Sequence, residues 1–156
     1  MSEWFGEAVR ELRLDLLALL VLAVVLGGAV GVERELQQKA AGLRTNILIC
    51  VGATLFTVLS MEMAGATGDP ARIAAQIVTG VGFLGAGTIM QGGGSVSGLT
   101  TAATMWLVAA IGMAVGFGAV LEATGATLLV LLVLRALKPI ERSIEARGRE
   151  RGEKAD

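Results

Sequence analysis

The chain has 156 residues, of which 54% are hydrophobic and only 17% are charged. A soluble domain usually carries about a quarter charged residues, and disordered chains are poor in apolar residues, so both classes are excluded. The net charge of −1 offers no electrostatic footprint for nucleic acid. The chain has no histidine and one cysteine. It therefore lacks the commonest general base, and we expect no enzyme.

Long uncharged segments predict an all-α fold, a polytopic membrane bundle of about five transmembrane helices with short loops. The predicted spans are 14–32, 46–64, 73–90, 99–117 and 119–137, within a transmembrane domain over residues 14–138. Residues 1–13 form an N-terminal segment, and residues 139–156 form a charged tail. The alternative for the first span is a cleaved signal peptide, but the residues before it are acidic rather than basic. Pro139 is expected to mark the end of the fifth span.

The distribution of Lys and Arg predicts the orientation, because cytoplasmic loops carry an excess of both. One side of the membrane would carry Arg34, Lys39, Arg44, Arg135, Lys138, Arg142, Arg147, Arg149, Arg151 and Lys154. The other side would carry only Arg10, Arg13 and Arg72. We therefore expect the N-terminus outside and the C-terminal tail in the cytoplasm.

Glycines provide the predicted helix-packing positions, because helices in lipid associate through small residues and hydrogen bonds. Gly27 and Gly31 form one GxxxG pair, and Gly112 and Gly116 form another. Such faces suit a homo-oligomer, with a dimer favoured.

The third span is the richest in glycine, and two interpretations of it stay open. It forms either a continuous helix in a compact bundle or a locally broken helix whose backbone faces a cavity. Its stretch from Gly80 to Gly85 also matches GxGxxG, but no acid follows before Glu122. We therefore interpret these glycines as packing residues and not as a dinucleotide site.

Polar residues at the ends of the spans also allow specific expectations. Glu33 and Glu35 are either ordinary interface charges or partners that reach Arg44 or the third connection. Glu35 and Lys39 have the spacing of a helical ion pair. We expect Asn46 and Gln76 to face other helices, because an unpaired amide in lipid is unfavourable.

The segment before the third span has a helix-start pattern, with Asp69 as N-cap and Pro70 at the first helical position. Weak candidates for metal ligands are the carboxylates Glu33, Glu35, Glu62 and Asp69. None lies in the middle of a predicted span, so a dehydrated Mg²⁺ would meet no charge at the midplane. A weak surface site for Mg²⁺, or a hydrated path in an oligomer, stays possible, and no cofactor is certain.

Three motifs resemble the signatures of the MgtC/SapB family of bacterial inner-membrane proteins. The first motif contains Glu33, Arg34, Lys39, Gly42, Arg44, Thr45 and Asn46. The second contains Asp69, Arg72, Gln76, Gly80, Gly82, Gly85 and Gly87. The third contains Thr100, Thr101 and Trp106. Together the motifs extend over roughly residues 27–118 in the family's order.

The resemblance implies a multi-pass inner-membrane protein linked to magnesium homeostasis and to survival at low magnesium. It favours action on other membrane proteins rather than catalysis. The alternative is a transporter or channel for Mg²⁺ or another cation, with a path along the Gly-rich third helix. Many members carry a soluble C-terminal domain, and this sequence looks like the short form without it. Functions of that domain are therefore not carried over.

Overall fold

The computed structural model describes residues 13–64, 68–69, 71–92 and 95–153. Its elements, in chain order, are α1 (Leu14–Leu36), α2 (Leu43–Ala64), α3 (Ala71–Ala86), β1 (Met90–Gly92), β2 (Ser95–Ser97), α4 (Leu99–Gly116) and α5 (Val120–Glu153). Of the predicted N-terminal segment, only Arg13 lies within the described residues.

The helices confirm the predicted membrane bundle. Within the part of the chain that the structure describes, four are long and apolar enough to cross a membrane, namely α1, α2, α4 and the Val120–Pro139 part of α5. Backbone N–H and C=O groups find no partner in hydrocarbon, so a helix that satisfies them internally is the structure such segments adopt. The chain is therefore a multi-pass membrane protein with a helical fold.

The third helix is shorter than the span predicted around it. α3 is continuous over 16 residues, which is about 24 Å at 1.5 Å per residue. It ends at Ala86 because a turn follows, in which the Thr88 hydroxyl donates to the Gly85 carbonyl oxygen over 2.8 Å. The predicted third span ends at residue 90, and a loop was expected after it. The structure instead has the antiparallel strands β1 and β2 here, in which Met90 pairs with Ser97. Gly98 then turns the chain into α4 with a φ of +89°, a conformation that favours glycine.

The apolar part of the fifth helix ends at Pro139, as the sequence predicts for the span. The helix itself continues to Glu153, so Pro139 lies inside α5. A proline inside a helix removes one backbone hydrogen bond and crowds the preceding turn, but it does not end this helix.

Helices α1, α2, α4 and α5 share the main core, whereas α3 lies at the side of the bundle against α2 and α4. The main cluster includes Val30, Cys50, Val108 and Ala123. The Thr54 hydroxyl joins α2 to α4 through the Gly112 carbonyl oxygen, 2.9 Å away. This arrangement leaves one face of α3 without a neighbour in the described chain.

The two GxxxG pairs lie inside the bundle, where α1 and α4 each contact α2. The buried glycines are Gly27, Gly31, Gly112 and Gly116. A Cβ placed on Gly27 would lie 2.7 Å from Cys50 Cβ, and one on Gly116 would lie 2.8 Å from Thr57 Cβ. The expectation that these faces are open to a second copy is wrong, because α2 already covers them.

Candidate functional site

Most charged residues of the first motif gather at one end of the bundle, which we call the basic end. It is formed by the C-terminal end of α1, the beginnings of α2 and α4, the hairpin, and the part of α5 around Arg135. The opposite end carries the beginning of α1, the end of α2 and the beginning of α3. Residues far apart in the sequence therefore meet at the basic end.

Arg34 joins the first motif to the third. Its side chain is only 1% exposed. Its Nη2 donates to the hydroxyl oxygen of Thr101, 67 residues away, over 2.7 Å. Within the described part of the chain, its Nε has no hydrogen-bond partner. The protein thus holds a guanidinium inside the bundle with only part of its hydrogen-bonding capacity used.

Glu33 binds α5 rather than the partners considered from the sequence. Its carboxylate accepts hydrogen bonds from Gln37 Nε2 and from Arg135 Nε, each over 2.5 Å. Glu33 is buried, whereas the side chain of Arg135 is 63% exposed. This pair connects the end of α1 to the end of the predicted fifth span, 102 residues later. Neither Arg44 nor any described residue of the third connection takes part.

Glu35 has a different role from its neighbour. Its carboxylate accepts a hydrogen bond from the Leu43 N–H over 2.9 Å and so satisfies a free donor at the beginning of α2. Because α1 ends at Leu36, Lys39 lies outside the helix. The expected ion pair between Glu35 and Lys39 is therefore not formed.

Asn46 is fully buried, as the sequence predicts. Its Nδ2 donates to the carbonyl oxygens of Ala41 and Gly42 over 2.9 and 2.8 Å, so it holds the α1–α2 connection against α2. Gly42 itself is buried beside the Glu35 carboxylate, which a Cβ at this position would overlap. Glu35, Gly42 and Asn46 of the first motif therefore shape one connection.

The expected cluster of Glu62, Asp69 and Arg72 is only partly present. Glu62 forms an ion pair with Arg13. Asp69 caps α3 as predicted, since its Oδ1 accepts a hydrogen bond from the Ala71 N–H over 2.9 Å. Arg72 is exposed nearby and lines a shared cavity with Asp69. Pro70 lies outside the described residues.

The four candidate metal ligands do not come together. Glu33 and Glu35 lie at the basic end, and Glu62 and Asp69 lie at the opposite end. Across the residues described, no three Asp, Glu, His or Cys side chains form a group that could hold a metal ion.

Comparison with known proteins identifies the family. The family model described as MgtC family matches residues 20–143, which is most of the chain. The chain belongs to the MgtC family. A protein named MgtC from Brucella abortus is 45% identical over 135 residues, which cover 86% of this chain and 56% of that protein. Its namesake from Salmonella typhimurium is 47% identical over 122 residues, which cover 78% of this chain and 52% of that protein.

This MgtC family chain spans about half the length of the curated relatives that it matches. No solved structure matches it.

The second motif of this MgtC family member divides between two faces of α3. Gly85 packs against Ala102 of α4. Gln76 and Gly80 are exposed beside the groove between α2 and α3, whereas Gly82 is exposed on another side of α3. Gln76 borders α2 at this groove, but no helix of the described chain covers it. The expectation that Gln76 faces another helix of the chain is therefore met only in part.

The remaining motif residues lie at or near the surface, and none of them joins the buried network at the basic end. Arg44, Gly87, Thr100 and Trp106 are exposed, and Thr45 is half-buried.

Sequence reasoning missed the part that Arg135 and Gln37 play at the basic end. Both are ordinary interface residues by position, and the sequence analysis counted Arg135 only among the positive charges of one side of the membrane. One signal was available, because Arg135 interrupts an otherwise apolar segment. The identity of its partner is a matter of helix packing, which no local pattern encodes.

Proposed function

We propose that this chain is a non-enzymatic membrane protein that supports the cell at low magnesium by binding a transmembrane helix of another membrane protein. The observation that carries this proposal is the outward face of α3. The magnesium role rests on the resemblance to the MgtC/SapB family. The relatives are about twice as long, so activity of the whole protein is part of the proposal.

The outward face of α3 has the composition of a helix contact rather than of a lipid-facing surface. Gln76 presents an amide there, one turn before Gly80. A Cβ on Gly80 would meet no atom within 4 Å. Small residues let a second helix approach closely. An amide that faces lipid is unfavourable unless it has a hydrogen-bond partner, which a second helix can provide. The face is therefore suited to another transmembrane helix.

A cation path along α3 is the alternative, and the groove beside α3 is poorly suited to it. This groove lies between α2 and α3, has a volume of about 550 Å³ and is lined by residues that include Leu48, Phe56, Gln76 and Leu84. Of the described residues that line the groove, Gln76 is the one with a polar side chain, and none is a carboxylate. Mg²⁺ binds oxygen ligands and gives up its waters reluctantly. The groove thus favours an apolar occupant.

The test compares two glycine substitutions that the bundle itself tolerates. Gly80→Leu changes the proposed face, and Gly125→Leu on α5 is the matched control, because neither glycine has an atom within 4 Å of a new Cβ. We expect both proteins to reach the membrane at normal levels. In a strain that lacks the natural gene, Gly80→Leu should abolish growth at low magnesium, whereas Gly125→Leu should support it.

A photoreactive side chain in place of the exposed Phe83, one turn after Gly80 on the same face, provides the second readout. We expect one discrete cross-linked product in intact cells, and we expect Gly80→Leu to remove it. A product of twice the chain's mass would identify a second copy as the occupant. Normal growth of Gly80→Leu would contradict the proposal. Mg²⁺ flux into proteoliposomes that is lost in Gln76→Ala would favour the transporter.

The topology and location are part of the same proposal. The pairs Arg13–Glu62 and Glu33–Arg135 lie at opposite ends of the bundle, which supports an odd number of crossings. The bias of Lys and Arg supports an outside N-terminus and a cytoplasmic tail in the bacterial inner membrane. Reporter fusions after residue 138 and before residue 14 should report opposite compartments.

A further inference from the structure

A second cavity, at the basic end, has a different chemistry from the groove beside α3. It has a volume of about 640 Å³ and lies between the end of α1, the hairpin, the beginning of α4 and α5. We call it the basic pocket. Among the side chains that the structure describes, three cations line it, namely Arg34, Lys39 and Lys138, and no Asp or Glu does. A pocket with this lining attracts an anion.

Arg34 is the feature that makes the pocket more than a basic surface. It is buried, it lines the pocket, and its Nε has no partner among the described residues. The neighbouring carboxylates are engaged elsewhere, since Glu33 binds Arg135 and Glu35 binds the Leu43 N–H. The charge of Glu33 acts on Arg34, but neither carboxylate forms an ion pair with its guanidinium among the described residues. The unpartnered Nε of Arg34 can therefore donate to a further acceptor.

The beginning of α4 adds a second source of positive potential. Its N-cap is Gly98, which provides no side-chain cap, and Gly98, Thr100 and Thr101 all line the pocket. The first N–H groups of a helix bind anions, and phosphate in particular. Hydroxyl groups of Ser97 and Thr100 lie in the same lining. This combination of a guanidinium, ammonium groups, hydroxyls and a helix N-terminus matches a phosphate group.

The surroundings of the pocket indicate where that phosphate comes from. An apolar groove of about 310 Å³ runs between α4 and α5 and shares Thr100, Val133 and Leu134 with the basic pocket. It continues past Leu107 and Leu129. A free phosphate would leave this groove unused, whereas a phospholipid would place an acyl chain in it. We infer that the basic pocket binds the phosphate group of a membrane phospholipid, with an acyl chain in the groove between α4 and α5.

This site uses α1, α4 and α5 and leaves the outward face of α3 free. It does not depend on the proposed function, and each can fail without the other.

The experiment titrates the purified chain, in a neutral detergent, with three probes and follows binding by native mass spectrometry. The probes are a phosphatidylglycerol, a diacylglycerol with the same acyl chains, and inorganic phosphate. We expect saturable binding of one phosphatidylglycerol per chain. The diacylglycerol should bind at least tenfold more weakly because it lacks the phosphate. Inorganic phosphate should also bind at least tenfold more weakly because it lacks the chains.

Variants locate the site. The double variant Lys39→Gln/Lys138→Gln should lose at least tenfold in affinity for phosphatidylglycerol. Arg44→Gln is the matched control, because Arg44 is exposed at the same end and does not line the pocket. Circular dichroism of all variants confirms that they fold.

Three results would overturn the inference. The first is that the chain shows no saturable binding of phosphatidylglycerol. The second is that phosphatidylglycerol and diacylglycerol bind with equal affinity. The third is that the double variant binds phosphatidylglycerol as tightly as Arg44→Gln does. If inorganic phosphate binds as tightly as phosphatidylglycerol, the pocket binds free phosphate and the inference of a lipid ligand is wrong.

Discussion

Gly27→Ala tests whether the contact between α1 and α2 depends on a missing side chain. The new Cβ would lie 2.7 Å from Cys50 Cβ, 2.9 Å from the Asn46 carbonyl oxygen and 3.3 Å from Ile47 Cα. The shortest of these distances is about 0.7 Å below the 3.4 Å at which ordinary contacts begin. Two of the three neighbours are main-chain atoms, and Cβ moves with the main chain. No side-chain rotation relieves the overlap, so α1 has to move away from α2.

The magnitude follows from two opposing contributions. Overpacking of a well-packed contact costs about 1–3 kcal/mol. Alanine in place of glycine stabilises a helix by about 1 kcal/mol. Gly125→Ala isolates the second contribution, because a Cβ there would meet no atom within 4 Å. Gly27→Ala should therefore be less stable than Gly125→Ala by about 1–3 kcal/mol, with the helix propensity cancelling.

The assay is reversible unfolding by sodium dodecyl sulfate in mixed micelles, followed by circular dichroism. We expect Gly27→Ala to unfold at a lower detergent fraction than the natural protein, and Gly125→Ala at an equal or higher one. Equal stability of the two variants would refute the close contact between α1 and α2. A lower oligomeric mass with unchanged stability would instead favour a role for Gly27 between copies.

Three further predictions concern polar contacts at helix ends, each read from the same unfolding assay unless stated. Arg135→Gln leaves the buried Glu33 carboxylate without its cation and should lower the free energy of unfolding by about 1–3 kcal/mol. Adding Glu33→Gln should restore part of that loss. Glu35→Ala removes the acceptor of the Leu43 N–H and should destabilise the protein by about 1 kcal/mol. Asp69→Ala removes the cap of α3 and should speed amide hydrogen exchange in its first turn, whereas Asp69→Asn should keep most of the protection.

Each of these expectations has a result that contradicts it. Natural stability of Arg135→Gln would mean that water satisfies the Glu33 carboxylate. Arg44→Ala is the control for Glu35→Ala, because it changes an exposed side chain at the same end. If the two variants are equally stable, Glu35 does not stabilise the protein as a cap of α2. Equal exchange in Asp69→Ala and Asp69→Asn would show that α3 begins without help from this side chain.

The sequence by itself determined the class of the fold and several local contacts. Long uncharged segments predict helices, because hydrocarbon leaves the backbone no partner but itself. The burial of Asn46 and the cap at Asp69 were also predictable. An amide within an apolar span needs a partner. The carboxylate of an aspartate just before a helix accepts a hydrogen bond from a backbone N–H of the first turn. The two groups are only a few residues apart, so the contact can be predicted from the local sequence.

The tertiary structure alone decided which faces are inside and which charges meet. In water, a helix shows its buried face as an apolar stripe, but in lipid the outer face is as apolar as the core. The sequence therefore did not reveal that Gly27 faces α2 while Gly80 and Gln76 face outward. The Glu33–Arg135 pair joins residues 102 positions apart. Its formation depends on how α1 and α5 pack, because only that packing brings the two side chains together.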